Sequence, residues 1–221
     1  EAVPSLAIGE VLAYHPINYG WVIGELVHRI DGRSFDKFLA QELTGPLGMG
    51  DFYVGLPSNL EDRVSKMHLM EADADVYGYV DIFNRPQVHG SIVPGACGIA
   101  SAGDLARFYA MMERKGALDG TRIFGEGTVK EATSLRVEGV DASLGLFAQR
   151  SFGLALGDER MGKPSEDPIN SFGHGGAGTS IGWADFDSGL AVGYITNGYR
   201  ASETNNPRLA AISQAIRDAC I

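Results

Sequence analysis

From Ser171 to Tyr199 the chain reads SFGHGGAGTSIGWADFDSGLAVGYITNGY. Glycines at 173, 175, 176 and 178 surround one histidine, His174, and two runs follow in which apolar residues alternate with small or polar ones. A period of two sends successive side chains to opposite faces of a sheet. The runs TSIGWADFD and LAVGYITNG therefore predict two strands, with Asp187-Ser188-Gly189 as the turn between them. Phe172-Gly173-His174 predicts the end of a third strand. Glycine at this density implies that backbone comes close to a neighbour.

The rest of the chain reads mainly as helix and loop. Tyr19 to Ile30 carries Trp21, Val22, Leu26, Val27 and Ile30 at helical spacing, predicting a helix with those residues inward and Gly32 as its left-handed stop. Ser34 is expected to cap a second helix, SFDKFLAQEL, which ends at Gly45-Pro46. FYVG at 52–55 predicts a short strand, and 57–98, with Pro57, Pro86 and Pro94, reads as a loop-rich site wall. Ser101 caps a strong helix whose stripe is Leu105, Phe108, Tyr109 and Met112. A short helix is expected over 126–134, a strand over 146–156, and a last helix that begins at Pro207 with Leu209, Ile212, Ala215 and Ile216 on one side. Residues 1–13 read as an irregular approach. This order, a helical and loop-rich part over 1–145 and antiparallel strands with a terminal helix over 146–221, predicts an α+β fold rather than a doubly wound one.

Composition narrows the function. The 221 residues include 18 Lys and Arg against 28 Asp and Glu, a net charge of −10. Such a chain without a basic cluster repels phosphate backbones, so no nucleic-acid partner is expected. Cys97 and Cys220 sit in no CxxC pair, so neither a metal site nor a disulfide framework is expected. No apolar run approaches the length of a membrane helix. The chain opens on Glu1 rather than methionine, and we expect it to begin partway through a longer precursor.

Three motifs match by letter only. Gly173 to Gly178 fits GxGxxG, but a dinucleotide loop must open a helix whose N-terminus faces the pyrophosphate, and this one opens a strand. Gly178 to Gly182 fits GxSxG, but that elbow requires a histidine after the serine, and all five histidines precede Ser180. Ser34-Phe-Asp-Lys37 fits SxxK, in which a lysine one helical turn on activates the serine.

Two further segments, taken together, resemble the serine β-lactamase and penicillin-binding-protein-like superfamily, in its class C-related, esterase-like branch. Tyr14-His15-Pro-Ile-Asn18-Tyr19-Gly20-Trp21, leading to Gly45-Pro46-Leu47-Gly48-Met49, is similar to the family's second motif, a tyrosine block running into a helix. Phe172 to Gly178 is similar to its third, where the lactamases carry Lys-Thr-Gly and esterase-like members His-Gly-Gly. Between them, Gly98 to Phe108 resembles a family helix start. The chain departs from the pattern at Pro16, where the family's Tyr-x-Asn has its asparagine, and Asn18 is the nearest substitute.

The resemblance implies a β-lactamase/transpeptidase-like fold and acyl transfer through a serine ester. It implies catalytic roles for Tyr14 and His174, and substrate or oxyanion contacts at Gly175, Gly176, Ala177 and Asn18, with no metal and no cofactor. The substrate would be a small ester or lactam, with neutral esters favoured because His174, where a lysine would be, is mostly uncharged near neutral pH. The family's SxxK precedes its tyrosine, whereas Ser34 follows Tyr14, so Ser34 is rejected as nucleophile. The nucleophile and two sheet strands are then expected in an N-terminal part outside these residues, leaving a sheet edge and an apolar face for that part or a second copy to cover. The alternative is a catalytically silent member acting as a binding or regulatory domain.

Overall fold

A computed structural model of the chain describes residues 9–162 and 169–220. The approach expected over 1–13 therefore lies partly outside the described residues. Helix α1 spans Asn18–Asp31, and α2 (Phe35–Leu39) runs on into a π-helical turn, Ala40–Thr44. Strand β1 (Tyr53–Val54) and strand β2 (His68–Leu69) flank a 3₁₀ turn, Ser58–Arg63. The short helices α3 (Tyr79–Phe83) and α4 (Pro86–His89) precede β3 (Gly98–Ile99) and helix α5 (Ala102–Glu113). Then come β4 (Ala117–Leu118), β5 (Thr121–Arg122) and α6 (Glu126–Ala132). The main sheet follows as β6 (Val137–Asp141), β7 (Leu146–Arg150), β8 (Ala155–Leu156), β9 (Ser171–Gly175), β10 (Ser180–Asp185) and β11 (Leu190–Ile195). Strand β12 (Gly198–Tyr199) and helix α7 (Ser202–Cys220) close the order.

The six strands pair in sequence order, all antiparallel, so the sheet is a meander with β11 and β6 at its edges among the described residues. Alternation decides its two faces. Gly182 and Gly193 are register partners facing α5. A Cβ on Gly182 would lie 2.2 Å from the Tyr109 ring, and one on Gly193 2.3 Å from the Ala102 carbonyl. Helix α5 thus rests on bare strand backbone, held at its start by Asp104 N–H donating to Ser101 Oγ at 3.1 Å. Its side packs Tyr109, Met111, Met112 and Phe172 into one core. On the opposite face Trp183, fully buried, donates through Nε1 to Ser213 Oγ of α7 at 3.1 Å. Arg217 covers the Trp183 ring at 4.4 Å and pairs with the buried Asp185 at 2.6 Å.

Four expectations are corrected. The apolar side of α1 is not inward: Trp21 is 51% and Ile30 85% exposed, and only Gly20 and Gly24 are buried. A Cβ on Gly20 would lie 2.2 Å from the Gly95 nitrogen, so the helix docks by its glycines against the 94–95 loop. Helix α7 begins at Ser202, with Pro207 inside it, and its inward line is Asn205, Leu209, Ser213 and Arg217. Proline is tolerated there because the carbonyl it leaves unpaired, that of exposed Glu203, can bond water. Ser34 occupies the N-cap position of α2, but its side chain makes no capping bond, and no residue of α2 is buried. The strand expected over 146–156 is also split, into β7 and β8, by the turn at 151–154.

Gly193→Ala is expected to cost about 1–3 kcal/mol by forcing α5 off the sheet. Gly50→Ala, where a Cβ meets open space, should be nearly neutral. Urea denaturation followed by circular dichroism measures both.

Candidate active site

Tyr14 lies on an irregular segment just before α1, and the tip of the β6–β7 hairpin fastens it. The Ala142 amide donates to the Leu12 carbonyl at 2.8 Å, and the Tyr14 amide donates to Asp141 Oδ1 at 3.1 Å. Asp141 is fully buried, and the amides of Ser143 and Leu144 also donate to Oδ1, at 2.9 and 3.3 Å. Burial alone would raise its carboxyl pKa, but these amides and the Arg150 charge hold it below the ordinary value.

His174 lies on β9 between two glycines. Its Nδ1 is 2.7 Å from the Gly175 carbonyl, an acceptor only, so Nδ1 carries the proton and Nε2 the lone pair. Across 160 residues of sequence, the Tyr14 hydroxyl reaches that nitrogen at 3.4 Å, with ring centroids 5.9 Å apart. Tyr14 therefore donates and His174 accepts. Burial pushes the His174 pKa down; the Gly175 bond opposes this, and the charges of Arg160 and Arg150 add to the lowering. Burial raises the Tyr14 pKa and Tyr19 adds to it, against the charges of Arg150 and Arg160.

The two guanidinium groups were not expected from the sequence. Arg150 Cζ stands 5.0 Å over the centre of the Tyr14 ring, and its Nη2 is 3.3 Å from Asp141 Oδ2. Arg160, on the 3₁₀ turn Glu159–Met161, forks onto Asp158 through Nε at 2.8 Å and Nη2 at 2.6 Å. A Cβ on Gly175 would lie 2.5 Å from Arg160 Nη1. Glycine at 175 thus makes room for the Arg160 side chain. The pairing of VEGVD at 137–141 with LFAQR sets Asp141 opposite Leu146 and Arg150 opposite Val137, so the hairpin pattern alone brings neither to Tyr14; Arg160 has no local signal.

The remaining candidates fall on two elements. Gly176 closes the turn, its amide donating to the Ser180 carbonyl at 2.8 Å, and Ala177 is exposed beside it. Gly178 has φ +64°, and a Cβ there would press on the Tyr199 ring at 3.0 Å. Asn18 is the first residue of α1 and is exposed. Strand β8 pairs with β9 only as far as Gly173, so the β9 edge at His174–Gly175 lies beyond the reach of β8. The loop over 173–178 opens strand β10, not a helix, as its alternation requires. Lys37 is exposed on α2, and Ser34 makes no hydrogen bond to Tyr14 or His174 among the described residues. No group of three or more His, Cys, Asp or Glu that could hold a metal ion occurs among the described residues. No helix there is long and apolar enough to cross a membrane.

Residues 1–215 match the Beta-lactamase family. The chain belongs to that family. It is 27% identical over 222 aligned positions to the esterase/beta-lactamase LipL of Mycobacterium tuberculosis, covering 89% of this chain and 50% of LipL. A penicillin-binding-protein homologue from Caulobacter crescentus superposes with TM-score 0.79 at 26% identity, over 98% of this chain and 61% of that one. A family VIII carboxylesterase superposes with TM-score 0.81 at 27% identity, over 96% and 59%. The chain thus spans about half the length of the curated relative it matches. Its fold is β-lactamase/transpeptidase-like, helices packed on antiparallel sheet.

The lowered His174 pKa has a sign that can be tested. The unfolded chain binds the proton at higher pH than the folded one, so His174 makes stability fall as pH drops below the ordinary histidine value of about 6.5. His174→Gln should flatten that acid limb, read as denaturation midpoints between neutral and mildly acid pH.

Proposed function

We propose that this chain supplies the tyrosine and histidine wall of a serine ester hydrolase. The observation that carries the reading is the Tyr14–His174 contact, a phenol donor and a neutral imidazole acceptor joined from opposite ends of the chain. In the reaction a serine Oγ bonds to the ester carbonyl carbon and its proton passes to the Tyr14 oxygen, while Tyr14 hands its own proton to His174 Nε2. Return of the proton to the departing alcohol leaves a serine ester, and water repeats the sequence to release the acid. The Ala177 amide, together with the nucleophile's own amide, receives the developing oxyanion. The acyl chain lies along the β9 edge at Gly175 and Gly176, with Asn18 at the opposite side.

The nucleophile in this reading is the serine of an SxxK segment outside these residues. Support comes from Lys37, exposed on a helix with no buried residue, and from relatives of up to twice the length. The same outside segment, rather than a second copy, covers the apolar side of α1 and pairs with edge strand β11. Neutral carboxylic esters are the favoured substrates. Among the described residues, Arg150 and Arg160 bring positive charge near the pair, and Asp141 and Asp158 stand against it, so that charge is partly offset for a substrate carboxylate. LipL and the family VIII carboxylesterase carry the esterase name in common.

A fluorophosphonate probe should label a polypeptide in which these residues follow their own SxxK segment. The 221 residues alone should stay unlabelled, Ser34 included. In the labelled form Tyr14→Phe should slow hydrolysis of short nitrophenyl esters by about 100-fold or more. Labelling at Ser34 would overturn the assignment of the nucleophile. Labelling of neither form would leave the silent binding domain as the function.

A further inference from the structure

Arg150 differs from the other site arginine in how it spends its guanidinium. Arg160 grips Asp158 with a two-pronged fork, the strong geometry for such a pair. Arg150 has one long contact to Asp141, at 3.3 Å, and its Nε is buried without a hydrogen-bond partner among the described residues. A side chain kept only to neutralise Asp141 would use the fork. Arg150 instead stands over the Tyr14 ring, a face-on contact that attracts a cation to an aromatic π system. The carboxylate it touches is the one that holds the Tyr14 amide.

We propose that Asp141 and Arg150 form the positioning device of Tyr14: the carboxylate fixes its backbone, and the guanidinium fixes its ring and keeps a positive charge beside the hydroxyl. Both are positioning residues and need not touch substrate. The role given to Tyr14 rests on the hydrolase reading above, but the coupling does not. Five groups bear on the Tyr14 hydroxyl: His174 from β9, Arg150 from β7, Arg160 from the turn after β8, Asp141 from β6 and Tyr19 from α1. Of these, Arg150 opposes the effect of burial more than Arg160 does.

The test is the titration of Tyr14 in this chain carrying ¹³Cζ-tyrosine. The eight tyrosine signals are counted in the parent, and Tyr14 is assigned by its loss in Tyr14→Phe. Arg150→Gln should raise the Tyr14 midpoint by about one pH unit, and Arg150→Lys should return it most of the way. Asp141→Asn, nearly isosteric and still an acceptor for the Tyr14 amide, leaves Arg150 unopposed and should lower the midpoint. It serves as the readout should Arg150→Gln fail to fold. A midpoint unmoved in Arg150→Gln, or in Asp141→Asn where the first does not fold, would overturn the proposal. The coupling could hold while the extended polypeptide resists the phosphonate, and that outcome would remove the hydrolase reading alone.

Discussion

Helix α5 can lie where it does only because the strands beneath it carry glycine at 182 and 193. Gly182 and Gly193 face each other across β10 and β11; the Tyr109 ring occupies the space a Cβ on Gly182 would need, and the backbone of Ala102 and Ala106 the space over Gly193. The contact fixes the height of α5 above the sheet and drives Tyr109 into the core beneath β9. Gly173 plays the same part on the other face, where a Cβ would strike Trp183. With both faces closed this tightly, β9 has one position, and His174 at its end has one depth. A site built on a rigid strand end needs less reorganisation than one built on a loop.

Tyr14, by contrast, sits on a segment without secondary structure, and its precision comes from a buried carboxylate. Asp141 accepts from three backbone amides and touches one guanidinium. Burying a charge is costly unless it is bonded in this way. Two elements of unlike stiffness therefore meet at the hydroxyl–imidazole contact, one fixed by close packing and the other by hydrogen bonds to one buried anion. The cation above the ring belongs to the second arrangement.

The sequence made the second half of this legible where local pattern and tertiary contact agree. Alternation placed β10, β11 and the turn between them, and Ser101 marked the start of α5. Resemblance in two motifs named Tyr14 and His174, which no local rule could have joined. Periodicity failed on α1 because it tells which residues share a side, not which side is covered; Gly20 and Gly24 won the contact from Trp21 and Leu26. Pro207 misled because proline marks a helix start only in the absence of a better one, and Ser202 came first. Asp141 and Arg150 stayed hidden because a charged residue in a strand reads as solvent-facing until its partner is known.

The account turns on one proton. If His174 Nδ1 donates to Gly175, Nε2 must be the acceptor that Tyr14 reaches. Long-range ¹H–¹⁵N correlation spectra of the chain at neutral pH read that tautomer directly. The account predicts a neutral imidazole protonated at Nδ1, with an Nε2 resonance that moves on Tyr14→Phe. An imidazole protonated at Nε2, or one indifferent to the loss of the Tyr14 hydroxyl, would contradict it.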